Sequence, residues 1–239
     1  MFFARKSYYE HFIKKAKKFN PFEVKAYDDF FVKITENVQP VIQKEFGLNL
    51  LLISDTHCEL AFNKSKFFEF VEENQNYDIC VLLGDIHPKE IEIILEVIPS
   101  QRIIAVTGNH DLFDQYNSKG IREITSSTFT YKGVKFGGMG GSFKYKSEKF
   151  PSYTQYESLN IANNMISRDC DIDVLFTHDS MFTSSEGNFA HLGLIGITYL
   201  IYKSNIKWHF HGHIHKSYLK KLSNGTYEKS VYSYEIVNI

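Results

Sequence analysis

Five short apolar runs between residues 48 and 211 constrain this chain more than any other feature. They read LNLLLIS (48–54), YDICVLL (77–83), RIIAVT (102–107), DIDVLFT (171–177) and IKWHFH (206–211), and branched side chains dominate them. Runs this short and this apolar are expected of strands buried on both faces, because neither face can be given to water. Stretches with helical spacing lie between several of them. Residues 64–75 carry Phe67, Phe68 and Val71, and 88–97 open on Pro88, which a first helical turn accepts. Residues 155–168 follow the capping-box sequence Thr154-Gln155-Tyr156-Glu157, and a further helix is predicted over 194–203. TFTYKGVKFGG (128–138) predicts a hairpin turning at Lys132-Gly133. YLKKLSNGTYEKSVYSYEIVNI (218–239) predicts another at Asn224-Gly225, residues that tolerate positive φ. Strands alternating with helices, with hairpins added, imply a layered α/β fold with sheets of mixed strand direction.

Residues 1–47 read differently, as an N-terminal helical extension ahead of a domain over 48–239. A helix is predicted over 7–19, where Ser7-Tyr8-Tyr9-Glu10 forms a capping box and Asn20-Pro21 ends the pattern. A second is predicted over 28–45, with Phe30, Phe31, Ile34, Val38, Val41 and Ile42 on one side, a kink at Pro40 and a stop at Gly47. Lys14, Lys15, Lys17 and Lys18 make one face of the first helix basic, which reads as a solvated face. The two helices also offer a surface on which a partner could dock. A net charge of -1 gives no general attraction to nucleic acid or to an anionic membrane. Cys58, Cys80 and Cys170 are an odd, scattered set, which fits a reducing compartment better than a disulfide framework. No apolar run approaches a membrane span, and MFFARKSYYEHF lacks the core of a signal peptide, so the expectation is a soluble cytoplasmic protein.

Each apolar run is followed at once by residues that metals favour. The first leads into Asp55-Thr56-His57, the second into Gly84-Asp85, the third into Gly108-Asn109-His110-Asp111. The fourth leads into His178-Asp179 and the last into Gly212-His213-Ile214-His215. Ligands of open α/β sheets collect beyond the carboxyl ends of strands, so five such ends can converge on one point. Carboxylate and imidazole ligands without thiolate suit Mn²⁺, Fe or Zn²⁺. Asp55, His57, Asp85, Asn109, His178, His213 and His215 are too many for one tetrahedral ion. They suit two ions that share a carboxylate, spaced roughly 3.5–4 Å apart as in centres that clamp a phosphoryl displacement.

Asp-x-His, Gly-Asp, Gly-Asn-His-Asp, a lone His and Gly-His-x-His, in that order, resemble the calcineurin-like metallophosphoesterases from about Leu48 onward. The resemblance implies an αββα sandwich and phosphoester hydrolysis with two divalent ions, Mn²⁺ first and Fe or Zn²⁺ as alternatives. It implies that Asp55, His57 and His215 hold one ion, that Asn109, His178 and His213 hold the other, and that Asp85 bridges them. It implies that His110 stabilises charge and protonates the leaving oxygen, that Asp111 orients His110, and that a metal-bridging hydroxide attacks phosphorus in line. The implied partner is a small phosphorylated substrate. A nuclease of the same superfamily and a non-catalytic scaffold on the same fold are the alternatives. The first is weakened by the neutral charge balance and the second by the complete ligand set.

Other residues leave two roles open. His87 either touches substrate or Asp85, or starts the helix before Pro88. His191 either contacts substrate or is structural. His211, beside the Gly212 bend, is expected to be structural. The glycine-rich 136–145 lacks the spacing of a phosphate loop and reads as a strand and turn near the site, with Lys144 and Tyr145 as lid residues.

Overall fold

The computed structural model describes residues 40–56, 63–144, 151–168, 171–182 and 189–239. The first predicted helix, residues 28–39 of the second, and His57, Cys58, Tyr145 and Cys170 lie outside the described residues.

The apolar runs form two sheets that face each other. In the first, β1 (Asn49–Ser54), β2 (Ile79–Leu82), β3 (Ile103–Ala105) and β4 (Arg122–Glu123) run parallel, and β13 (Ser233–Asn238) adds antiparallel to β1. In the second, β6 (Val134–Met139), β9 (Val174–Thr177), β10 (Trp208–His211) and β12 (Tyr227–Ser230) run parallel. There β5 (Thr128–Tyr131) and β11 (Tyr218–Lys221) close the two edges as antiparallel hairpin partners. A short pair, β7 (Ser142–Phe143) with β8 (Ser152–Tyr153), stands apart.

Side-chain alternation along these strands builds three cores. Leu50, Leu52, Val81, Ile104 and Val106 from one sheet meet Phe136, Val174, Phe176, Phe210 and Val231 from the other, all buried. The opposite face of the first sheet, through Leu51, Ile53 and Leu82, packs with Phe67 and Val71 of α1 (Lys64–Glu73) and with Ile91 and Ile94 of α2 (Pro88–Val97). The outer face of the second sheet, through Leu175, packs with Leu159 and Ala162 of α3 (Gln155–Arg168) and Ile197 and Leu200 of α4 (Ile195–Lys203). Helix, sheet, sheet, helix is the expected αββα order.

The predicted helix starts hold because their caps are local. Asn63 accepts the Lys66 N–H at 3.1 Å ahead of α1. At α2 the His87 Nδ1 accepts the Lys89 N–H at 3.2 Å, and the Glu90 carboxylate accepts the His87 N–H at 3.1 Å, a reciprocal cap. Thr154 and Glu157 exchange the same kind of bonds before α3. Both hairpins turn where predicted, with Lys132 and Gly133 at positive φ and Gly225 at φ 100.

Residues 40–48 depart from expectation, since the predicted second helix does not run through 40–45. Their backbone donors are taken elsewhere. The Val41 N–H donates to Asn224 O at 2.7 Å, and the N–H groups of Phe46 and Gly47 donate to Ile239 O at 3.1 and 2.7 Å. The Gln43 side-chain amide donates to Gly225 O at 2.6 Å. A carbonyl already engaged across the fold competes with the i−4 carbonyl of a helix, and Pro40 has no N–H to give.

Candidate metal centre

Because β1, β2 and β3 are parallel, the residues just past their carboxyl ends share one edge, and β9 and β10 deliver theirs to the same place. Asp85, His178 and His213, all buried, offer ligand atoms that lie within 4.8 Å of one another. The two sheets are stitched together there. The His178 Nε2 lies 3.0 Å from Asn109 Oδ1 and 3.3 Å from Asp85 Oδ2. The His213 N–H donates to Asp55 Oδ2 at 2.8 Å, and the His215 Nε2 is 3.5 Å from Asp55 Oδ1. Six of the seven predicted ligands are thus brought together; His57 lies outside the described residues.

Ring orientation is set from behind. The His178 Nδ1 bonds to Leu83 O at 2.8 Å, which turns Nε2 toward Asp85 and Asn109. The His213 Nε2 bonds to Ala190 O at 2.8 Å, leaving Nδ1 for an ion.

The backbone here is unusual. Among the described residues eight non-glycines have positive φ, and four are candidate ligands: Asp55 (54°), Asp85 (56°), His213 (67°) and His215 (50°). Each such conformation costs about 1–3 kcal/mol and tends to collect where function requires a side chain to be aimed. Neighbouring glycines make room. A Cβ on Gly108 would stand 2.1 Å from Asp85 Oδ1, and one on Gly212 would stand 2.5 Å from Asp55 Oδ2.

Charge at the centre favours a cation. Burial alone would raise Asp85, but His178 and the His110 N–H, 2.7 Å from Asp85 Oδ1, hold it well below the usual carboxylate range. Burial likewise opposes ionisation of Asp55, and His215 and His178 outweigh it. The same carboxylates, Asp85 first, overcome burial at His178 and push it up to about 10. Asp55 Oδ1 is buried with no hydrogen-bond partner. Oxygen and imidazole donors with an orphaned carboxylate oxygen fit a hard or borderline divalent ion.

His110 is exposed at this edge. Asp111 is buried, and it works on the backbone. Its Oδ1 accepts the Ile86 N–H at 3.0 Å, and its Oδ2 accepts the Gly108 N–H at 2.6 Å and the Tyr116 hydroxyl at 2.7 Å. Burial, then Asp85, push the Asp111 carboxyl up to about 6. It therefore fixes the loop that carries Asn109 and His110. Tyr116, Gln115 and Ser54 belong to this support, and no local motif marks them. Ser54 donates to Asp55 Oδ2 at 2.7 Å, and Gln115 donates to Ile86 O at 3.1 Å.

His191, half-buried, reaches the cluster, with its ring 5.1 Å from that of His213 and 6.5 Å from that of His215. His87 caps α2 through its Nδ1. His211 is buried behind the centre, 3.1 Å from the Tyr218 hydroxyl and 3.3 Å from Glu228 Oε1, in the structural place expected of it. Residues 134–143 are strand and turn, and the Gly141 N–H donates to Thr107 O beside the site.

The model of the calcineurin-like phosphoesterase family matches residues 48–217. The chain belongs to that family. No curated protein matches the sequence significantly. Among solved structures, the metallophosphoesterase domain resembles the protein TT1561 of Thermus thermophilus at a TM-score of 0.59 and 14% identity, over 80% of this chain and 94% of that one. It also resembles the 5'-nucleotidase of Candida albicans at a TM-score of 0.50 and 14% identity, over 82% of this chain and 47% of that one, so it spans about half the nucleotidase. At these identities the likeness concerns the fold. Family membership is consistent with phosphoester hydrolysis and divalent metals. Among the described residues no helix is long and apolar enough to cross a membrane.

Proposed function

We propose that this metallophosphoesterase hydrolyses a small phosphorylated substrate at a dinuclear centre. The observation that carries the reading is the convergence of Asp55, Asp85, Asn109, His178, His213 and His215 at one strand edge beside the exposed His110. Asp55, His57 and His215 are assigned to one ion, Asn109, His178 and His213 to the other, and Asp85 to both. Mn²⁺ is the first choice, with Fe or Zn²⁺ as alternatives. When bound, such ions supply Lewis acidity to phosphoryl oxygens and lower the pKa of water toward neutrality.

The chain's own groups do the rest. His110, anchored by its backbone to Asp85, presents its imidazole to an ester lying on the centre and donates a proton to the leaving oxygen. Asp111 keeps the His110 loop closed through Gly108 and Ile86. His191 is assigned to the substrate side, and His87 is a second candidate there. A cytoplasmic setting is supported by the free, buried Cys80. Residues 1–47 are assigned as an extension to the catalytic domain.

The test is initial rates on bis-p-nitrophenyl phosphate and p-nitrophenyl phosphate after chelation and Mn²⁺ add-back. Activity should vanish on chelation and return with Mn²⁺. His110→Ala should lower kcat about 10²–10⁴-fold at unchanged metal content. Turnover that survives complete chelation, or a fully active His110→Ala chain, would overturn the reading. A preference for the diester directs the search to phosphodiesters and a preference for the monoester to nucleotides or other monoesters.

A further inference from the structure

We propose that Tyr232 is a positioning residue for His215, and that the 231–233 crossover therefore belongs to the metal centre although it lies beyond the family-matched stretch. This rests on the reading of His215 as a metal ligand. His215 is the least enclosed of the assembled ligands. Its side chain is 40% exposed where those of Asp85 and His178 are 1% and 0%, and its contact with Asp55 is long at 3.5 Å. The plane of a ring this exposed is set by the surfaces it stacks on. Tyr232 provides one, with its ring stacked on that of His215 at 5.4 Å between centroids and 24° between planes.

Three further features show that this stack is built into the chain. The Tyr232 N–H donates to Ser217 Oγ at 3.2 Å, and Ser230 Oγ donates to Lys216 O at 2.6 Å, so the segment after β12 grips the loop that carries His213 and His215. Val231 is buried between the sheets, and its N–H donates to His211 O at 2.8 Å, which anchors the crossover from below. Ser233 adopts φ 70, a left-handed backbone rare outside glycine, and pairs with Ser54, the residue before Asp55. The chain thus passes from the second sheet to the first across the metal edge and turns sharply there, leaving Tyr232 against His215. Partners that orient a metal-bound histidine typically change metal affinity about 10–100-fold when removed.

The experiment is Mn²⁺ titration of the metal-depleted chain by calorimetry and electron paramagnetic resonance, with metal-free thermal unfolding alongside. Wild type should bind two ions. Tyr232→Phe, which keeps the ring, should stay within about twofold of wild type. Tyr232→Leu and Tyr232→Met, carried in parallel in case one does not fold, should weaken one ion by about tenfold and leave the other unchanged. In a His215→Ala background, Tyr232→Leu should add nothing. Wild-type affinity in Tyr232→Leu or Tyr232→Met overturns the proposal. So does a loss in Tyr232→Phe, which would assign the effect to the hydroxyl, or an equal weakening in the His215→Ala background. A wild-type chain that binds no ion removes the dinuclear reading itself, and the role of Tyr232 with it.

Discussion

Asp85 accepts a left-handed backbone at φ 56, and the space that its carboxylate fills exists only because residue 108 has no side chain. Gly108→Ala would press a methyl group to within 2.1 Å of Asp85 Oδ1, so either Asp85 or the loop at 108–111 must move. The variant should lose about 1–3 kcal/mol of stability and most of its Mn²⁺ affinity, read by urea unfolding and metal titration. Behind the centre a different pair controls behaviour in acid. Burial, then His211, push His209 down to about 3 from an ordinary 6.5. The unfolded chain therefore takes up this proton as the pH falls through about 6.5, and the folded chain refuses it until about 3. His209's contribution is complete above that window and is lost through it. Burial opposes ionisation of Glu228, but the hydrogen bond with His211 and the Lys220 ammonium 3.1 Å away hold its carboxyl below the usual range, so its share is lost below about 4.5. In thermal unfolding the His209 share should fall from pH 6.5 downward with a slope of at most about 1.4 kcal/mol per pH unit, opposed between about 6 and 3.8 by Asp111, which takes up its proton first in the folded chain. In His209→Gln, which cannot titrate, that slope should flatten between pH 6.5 and 4.5.

Helix α2 shows what a local cap decides. Pro88 begins it, His87 and Glu90 close its first turn, and its limits are those read from the sequence, because every group involved lies within four residues. His87→Ala should cost about 1 kcal/mol of stability, and His87→Asn, another good cap, should restore it. If His87 also touches substrate, both variants will raise KM; if capping is its whole role, KM will stay put in both. The β12–β13 segment shows the opposite. The sequence predicts one hairpin turning at Asn224-Gly225, and β11 with β12 is that hairpin. β13 instead leaves the second sheet and pairs with β1, Asn238 opposite Asn49, near the two ends of the described chain. No turn chemistry signals such a pairing, because its hydrogen bonds join strands far apart in sequence.

Over the whole molecule, the metal edge is where two sheets must agree in position. Its side chains come from separate strand ends, and four of them stand on backbone that opposes folding locally. Bound divalent ions should therefore stabilise the entire fold. Saturating Mn²⁺ at about 100 times Kd should add about 2.7 kcal/mol, with a melting temperature that climbs with metal concentration and falls on chelation. Asp85→Asn should abolish most of that rise, since a neutral amide cannot serve both ions. A melting temperature indifferent to metal in the wild type would contradict the dinuclear assignment.

Local sequence signals were enough to locate the buried core strands, four helices and two hairpin turns, and to nominate the candidate ligands. Each of those depends on residues close together: branched runs, caps, turn residues, and polar side chains at the step after a strand. That Asp111 bonds the backbone of Gly108 and Ile86, that Tyr116 and Gln115 support it, and that His211 packs with Glu228 all follow from contacts across the fold. The fold alone brought Tyr232 onto His215 and turned 40–48 away from helix toward the C-terminal strand. Those contacts join groups whose proximity depends on how the sheets stack and which strand takes each edge. Such long-range pairing leaves no local pattern, because each partner alone is an ordinary tyrosine, glutamine or backbone N–H until the fold sets them side by side.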